Sequence, residues 1–160
     1  MANNRLLYLT PDDWVLLNAK ARRRTFKLGE EIISEGSWGD KIYIVRKGCA
    51  SVELAGSRSR SIVAILGAED ICGDMAFIEK GKATAAVIAS DEIVEVDEIY
   101  ADDLRHLFEA FPRLAIRFYR SLTVILARRL RDTSRELARE MSLREIRKTN
   151  EPPVQSNLSV

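Results

Sequence analysis

The apolar residues follow three different periods along the chain. Between about residues 24 and 98, short apolar runs alternate with polar turn segments, and glycines fall in the gaps. Strands at this regular spacing predict an antiparallel sandwich or barrel. A short helix is predicted over residues 10–20, because Thr10 can cap it and Pro11 suits its first position. The pattern therefore predicts a strand-rich centre preceded by one helix.

From about Ala101 the apolar residues recur every three or four positions, which is the period of a helix. Asp102 or Asp103 can cap a first helix, and Pro112 can begin a second one that runs to roughly Arg147. The second helix carries an apolar stripe: Leu114, Phe118, Leu122, Leu126, Leu130, Leu137 and Met141. Because this helix is longer than one sheet face needs, we expect the stripe to meet a second copy of the chain. Folding back over its own sheet is the alternative.

Composition indicates an ordinary globular protein. The chain has 160 residues, 46% hydrophobic and 31% charged, with a formal net charge of +1. These values predict one domain and give no reason to expect non-specific binding to nucleic acid or membrane. The N-terminus lacks the features of a secretory signal, and no apolar run approaches ~20 residues. Cys49 and Cys72 form no paired motif, which is typical of reduced thiols in a cytoplasmic protein.

The sequence contains no constellation typical of catalysis. His106 is the single histidine, has no evident serine or cysteine partner, and nearly excludes a multi-histidine metal site. The carboxylates are scattered along helices and turns. We therefore expect no enzyme activity, no metal ion and no cofactor.

The segment EGSWGDKIYIVRKG resembles the signature of cyclic-nucleotide-binding domains. The matching positions are Gly36, Gly39, Asp40, Tyr43 and Gly48. CGDMAF lies where this family places its phosphate-binding cassette, and ARRLRDTSREL resembles the long C-terminal helix of catabolite-activator-type members. The resemblance covers about residues 10 to 140. It implies a jelly roll (double-stranded β-helix) of about eight strands with flanking helices, and a cyclic nucleotide inside the roll.

Within the cassette, the resemblance implies that Gly73, Asp74, Met75 and Ala76 form the first turn of a short helix. The free N–H groups of such a turn attract a phosphate. Asp74 stands where the family usually has glutamate, and its side chain is one methylene shorter. Asp74 can accept the ribose hydroxyl, or it can simply cap the helix.

The cassette departs from the family pattern at its cation, because Ala83 occupies the usual arginine position. Lys82 can supply the missing charge or face water, and Thr84 can donate to the phosphate or serve as an ordinary strand residue. Losing one charge-assisted contact costs roughly 1.5–3 kcal/mol, about 10- to 100-fold in affinity. On the last helix, Thr133 and Ser134 match the Thr-Ser pair that contacts adenine in catabolite-activator-type dimers. Otherwise Thr133 fills the helical stripe and Ser134 is solvated.

The resemblance implies a stand-alone regulatory domain over residues 1–147, with the β-roll at about 24–98, the C-terminal helices at about 101–147 and a disordered tail at 148–160. We expect it to bind cyclic AMP or cyclic GMP, to form a homodimer through its last helix and to regulate an unknown protein partner. DNA binding by this chain alone is not expected, since too few residues follow Arg139 for a winged helix-turn-helix. The alternative is a degenerate fold that binds no nucleotide and serves dimerisation or protein interaction. A different anionic ligand, such as a cyclic dinucleotide bound on the surface, is a further possibility.

Overall fold

The computed structural model describes residues 4–56 and 59–149. Within these residues the chain forms eight strands and four helices. In chain order they are α1 (Pro11–Lys20), β1 (Arg22–Lys27), β2 (Glu31–Ile33), β3 (Lys41–Lys47), β4 (Ala50–Ala55), β5 (Arg60–Leu66), β6 (Ile71–Cys72), α2 (Asp74–Glu79), β7 (Ala86–Ala89), β8 (Ile93–Tyr100), α3 (Ala101–Ala110) and α4 (Pro112–Thr149). The predicted fold class, mostly β with flanking helices, is confirmed.

Two four-stranded antiparallel sheets form the roll. The first sheet has the strand order β1-β8-β3-β6, and the second has the order β2-β7-β4-β5. Each sheet therefore places strands that are distant in the sequence beside one another. A β-bulge between Val52 and Glu53 shifts the register of β4 against β5, which is the edge strand of the second sheet. The strands begin at Arg22 and end at Tyr100, so the predicted boundaries of the roll, about 24 and 98, are two residues too narrow at each end.

Side-chain alternation on the first sheet separates two apolar cores. Ile42 and Ile44 of β3 lie in a core with residues of α1, α3 and α4, including Leu17, Leu104 and Phe118. Val45 of the same strand lies in a second core with residues of both sheets. This alternation follows from the two-residue period of a strand. The first sheet therefore carries helices on one face and encloses the interior of the roll with the other.

The start of α1 confirms one predicted cap, and the start of α3 corrects another. The Thr10 side chain accepts a hydrogen bond from the Asp13 N–H, and the Asp13 carboxylate accepts one from the Thr10 N–H, which is a capping box. Helix α3 is instead preceded by Tyr100, without a side-chain cap. Asp102 and Asp103, the predicted caps, lie inside the first turn, where their charges meet the positive end of the helix.

Helix α4 spans a division of the chain into two compact units. The first unit ends at Ile125 and contains the roll, and the second begins at Leu126. The helix reaches Thr149, two residues past its predicted end. The remainder of the predicted disordered tail, residues 150–160, lies outside the described residues. In the described part of the chain, none of the helices has both the length and the hydropathy that crossing a bilayer requires.

Candidate functional site: a cavity beside the phosphate cassette

Gly73 marks the start of the cassette, between β6 and α2. Its φ of 80° lies in the left-handed region, and a Cβ added there would lie 2.8 Å from the Lys41 carbonyl oxygen. Both conditions favour glycine, because a side chain would be strained by the backbone angle and blocked by β3. The sequence predicts Gly73 as the residue that leaves room for ribose and phosphate. The structure adds a second reason for glycine, which is the close approach of Lys41.

The three residues after Gly73 have different surroundings. Asp74 is the first residue of α2 and is only 1% exposed. Met75 lies on the exposed side of α2, and Ala76 is buried against the roll. The buried carboxylate of Asp74 lies at the positive end of the helix, an environment that favours an anion. The ligand roles of Asp74 and Met75 stay predictions.

A cavity of about 180 Å³ opens between the cassette and the first sheet. Its lining residues are Ile32, Ile33, Ser34, Ser37, Trp38, Gly39, Asp40, Lys41, Tyr43, Gly73, Ala76 and Ala83. We call this the roll cavity. It combines apolar and aromatic surface with three hydroxyl groups, one carboxylate and one cation, and such a mixture is usual for a small-molecule site. Such sites usually have volumes of about 300–1,000 Å³, so the roll cavity must widen to enclose a whole nucleotide.

The segment between β2 and β3, residues 34–40, closes one side of the roll cavity, and we call it the entrance loop. The Gly36 N–H donates to the Ala83 carbonyl at 2.7 Å, and the Ala83 N–H donates to the Ser37 carbonyl at 2.8 Å. The Gly39 N–H donates to the Gly81 carbonyl at 2.9 Å. The entrance loop is therefore fastened to the far end of the cassette by backbone hydrogen bonds. Both backbone groups of Ala83 take part in them.

The three residues predicted to surround the phosphate, Lys82, Ala83 and Thr84, lie on different sides of the chain. Ala83 lines the roll cavity and packs against the interior core. Lys82 is exposed, and its Nζ lies 5.5 Å from the ring centroid of Trp38, which is itself 67% exposed. Thr84 is also exposed. The structure thus brings Gly73, Ala76 and Ala83 together around the cavity, and it gives Lys82 a cation–π contact with Trp38, which also lines the cavity.

Thr133 and Ser134, the predicted base-reading pair, lie in the second unit of the chain. Both are exposed residues of α4, and their helical conformation agrees with the prediction. Their contact with a base stays a prediction.

Sequence reasoning missed Lys41, the cation that does line the roll cavity. Lys41 follows Asp40 within the family signature, and its side chain is 22% exposed. Its Nζ lies 3.6 Å from Oε2 of Glu98. Burial lowers the pKa of Lys41, but the nearby Tyr43 hydroxyl and Glu98 carboxylate outweigh it, so the pKa lies above its usual value. The strand period places Lys41 on the same face as Tyr43, but only the packing of β3 beside Gly73 brings that face to the cavity.

A larger depression of about 490 Å³ lies on the other face of the first sheet, beside α1. Both arginines that line it donate hydrogen bonds to the Asp97 carboxylate. Nε of Arg23 lies 2.5 Å from Asp97 Oδ1, and Nε of Arg46 lies 2.6 Å from Asp97 Oδ2. Burial raises the pKa of Asp97, but the two hydrogen bonds lower it below the usual value. This ion-paired cluster serves structure, so the roll cavity is the candidate site. Among the described residues, no group of three or more His, Cys, Asp or Glu side chains is arranged to hold a metal ion.

A jelly roll with a glycine-led cassette beside an interior cavity defines a class of ligand-binding regulatory domains. The family model described as "Cyclic nucleotide-binding domain" matches residues 23–111, more than half of the chain. The chain belongs to this family, and the resemblance to its catabolite-activator-type members is confirmed.

Three similar proteins illustrate the range of the family. Cyclic GMP-binding protein C of Dictyostelium discoideum is 31% identical over 81% of this chain, and the match covers 5% of that protein. The cyclic AMP receptor protein of Thermus thermophilus is 28% identical over 81% of this chain and 58% of its own length. A crystal structure of a cyclic nucleotide-binding domain from Methylobacillus flagellatus has a TM-score of 0.76 at 20% identity, with 82% of this chain and 74% of that chain covered. It supports the fold. The chain spans less than two thirds of the length of the two relatives compared by sequence.

Proposed function

We propose that this chain is a regulatory domain whose roll cavity binds a cyclic nucleotide and transmits the binding to a separate partner. One observation carries the proposal: Gly73, Ala76 and Ala83 of the cassette line a cavity inside the roll. Two similar proteins are a cyclic GMP-binding protein and a cyclic AMP receptor, which supports the ligand class. The proposal assigns binding and no catalysis.

Binding changes the balance between two conformations only if the ligand prefers one of them. The entrance loop provides a physical basis for such a preference, since its hydrogen bonds to residues 81 and 83 hold it against the end of the cassette. A ligand that enters must widen the cavity and shift residues 67–86, the segment that contains the cassette. We propose that this shift is passed to the C-terminal helices.

The second unit supports a proposal of self-association. Leu130, Leu137 and Met141 are exposed and recur at helical spacing along α4. An apolar stripe of this kind is typical of a helix that packs against another helix. We propose that α4 forms a homodimer through this stripe. Packing against the chain's own surface is the alternative.

A degenerate site is the second candidate function, and the surroundings of Ala83 favour it. The Ala83 side chain packs in the interior core, and both of its backbone groups bond to the entrance loop. A domain whose cassette is closed in this way would serve as a dimerisation or protein-interaction module.

Calorimetry with cyclic AMP and cyclic GMP distinguishes the two candidates. We expect the parent to bind, and we expect Ala83→Arg to bind about 10- to 100-fold more tightly because it restores a charge-assisted contact. Ala19→Arg is the matched control, since it adds the same side chain on the exposed surface of α1 and should leave affinity unchanged. If the parent gives no heat of binding while Ala83→Arg binds, the result supports the degenerate site. If neither protein gives heat at millimolar ligand, and both are folded by circular dichroism, the cyclic-nucleotide proposal fails.

A further inference from the structure

Three cations lie along one end of the first sheet, and two of them, Arg22 and Arg24, are exposed to solvent. Arg22 and Arg24 belong to β1, and Lys41 belongs to β3, the strands on either side of β8. Arg22 is paired with Glu98, and Lys41 is paired with Tyr100. Directly paired residues of antiparallel strands project to the same face. This is the face that carries Val45 and the interior core, and we call the three cations the basic wall.

Glu98 is the central carboxylate of the basic wall, and it offsets only part of the charge. Its side chain is 5% exposed, and its two oxygens each lie 3.6 Å from a cation, Arg24 NH1 on one side and Lys41 Nζ on the other. Those separations exceed the 2.7–3.2 Å of an N–H···O hydrogen bond. Arg22 instead stacks on Tyr100, with its guanidinium carbon 4.8 Å from the ring centroid. The exposed Asp40 carboxylate belongs to the cavity lining, beside Lys41 in the sequence.

Lys41 belongs to both the basic wall and the lining of the roll cavity. It also lies directly beside the first residue of the cassette, because the Lys41 carbonyl would be 2.8 Å from a Cβ at Gly73. Position 83, the family's usual cation position, lies at the other end of the cassette. The backbone of Lys41 is therefore adjacent to the glycine end of the cassette, and Lys41 lines the cavity. Lys82 is not among the lining residues, and its Nζ lies over the ring of Trp38.

We propose that Lys41, supported by Arg22 and Arg24, holds the phosphate of the ligand in the roll cavity and replaces the cation that Ala83 cannot supply. This inference rests on the proposed function and assigns the anion site within it. A lysine ammonium is a compact point charge that does not require the bidentate geometry of a guanidinium. The site therefore selects for charge on the phosphate rather than for the cyclic ester. A nucleoside monophosphate with two phosphate charges binds at least as tightly as its cyclic form.

The test compares three variants with the parent. Lys41→Met removes the charge and keeps an apolar stem, Lys41→Arg keeps the charge, and Lys82→Met is the matched control outside the cavity. Each is titrated with cyclic AMP, AMP and inorganic phosphate by calorimetry and by the fluorescence of Trp38, which lines the cavity. We expect Lys41→Met to weaken binding of AMP and cyclic AMP about 10- to 100-fold. Lys41→Arg should retain most of the affinity, and Lys82→Met should bind like the parent.

A measurement on the parent protein covers the case in which Lys41→Met fails to fold. With ¹⁵N-labelled lysine side chains, the ammonium resonance of Lys41 should shift on addition of AMP, and that of Lys20, exposed at the end of α1, should not. The affinity should also fall as salt is raised, because the contact is electrostatic.

The outcomes separate this inference from the proposed function. If cyclic AMP binds equally well to the parent and to folded Lys41→Met, the inference is overturned and the proposed function stands. If AMP or phosphate binds through Lys41 while cyclic AMP does not, the inference stands and the cyclic-nucleotide function fails. If the folded parent binds none of the probes, both are rejected.

Discussion

At the scale of single residues, the Asp13 carboxylate of α1 forms an ion pair with Arg117 of α4. Arg117 of α4 donates to it through Nε at 2.6 Å and through NH2 at 2.7 Å. The Asp13 carboxylate also accepts from the Thr10 N–H that begins α1. The hydrogen bonds from Arg117 are the main cause that lowers the pKa of Asp13 from 3.8 to about 2. One buried side chain therefore caps a helix and joins it to another element 104 residues away.

Replacing Asp13 by asparagine should destabilise the protein at neutral pH. The lowered pKa corresponds to about 2 kcal/mol of folding free energy. Because the pKa of the folded state is below that of the unfolded state, this stability is present above about pH 4 and is lost as the pH falls through about 2. We expect the Asp13→Asn penalty in urea unfolding to be largest at pH 7 and to shrink between pH 4 and pH 2.

The matched control is Asp12→Asn, since Asp12 is exposed on the same turn of α1. That change should cost a few tenths of a kcal/mol, as a solvated charge near a helix start does. An Asp13→Asn penalty that did not vary with pH would contradict the assignment.

At the scale of elements, the entrance loop packs directly against the backbone of α2 at Gly39. A Cβ at Gly39 would lie 2.5 Å from the backbone carbon of Ala76 in α2. Atoms cannot approach this closely, so a side chain at position 39 must push the loop away from the cassette. The geometry explains why glycine stands at this position whether or not a ligand binds.

Gly39→Ala should therefore separate the entrance loop from α2 and weaken the Gly39–Gly81 hydrogen bond. We expect a loss of about 2–3 kcal/mol, as for overpacking against a backbone, and faster amide exchange across residues 73–83. Gly36→Ala is the control: its φ is 80°, but no atom lies within 4 Å of an added Cβ. It should cost about 1–2 kcal/mol of backbone strain without exposing the cassette. Equal exchange in the two variants would argue against the packing explanation.

The elements themselves were largely predictable from sequence, whereas their contacts were not. The period-two runs predicted the roll, and the cap at Thr10 and the break at Pro112 predicted helix starts, because these signals are local. The position of Lys41 at the cavity required knowing that β3 lies beside Gly73. The partner of Asp13 required knowing that α1 meets Arg117. Both contacts join residues far apart in sequence, and no local pattern encodes them.

At the scale of the whole molecule, the described part of the second unit is the distal segment of α4, where Leu130, Leu137 and Met141 are exposed. Leu137 is 58% exposed, although its side chain is as apolar as those in the core. An isolated helix gains little stability from its own backbone, and most helices are stabilised by packing of an apolar face. The proposed homodimer would provide that packing.

Leu137→Glu should dissociate the dimer, because it places a charge at the centre of the apolar stripe. We expect sedimentation to show a dimeric parent and a monomeric variant at the same micromolar concentration. Ala138→Glu introduces the same charge at the neighbouring exposed position, outside the stripe, and should remain dimeric. A parent that sediments as a monomer at all concentrations would reject dimerisation through α4.

The order of strands in the first sheet has a consequence during synthesis of the chain. Among the strands that the structure describes, β1 is an edge strand that pairs with β8, and the paired side chains Arg23 and Asp97 are 74 residues apart. At ribosomal rates of about 5–20 residues per second, β8 is synthesised roughly 4–15 seconds after β1. An unpaired strand can join other chains during that interval, and charged side chains are a common protection. Arg22, Arg23 and Arg24 give β1 three adjacent like charges, and charges of this kind disfavour pairing with the same strand of another chain.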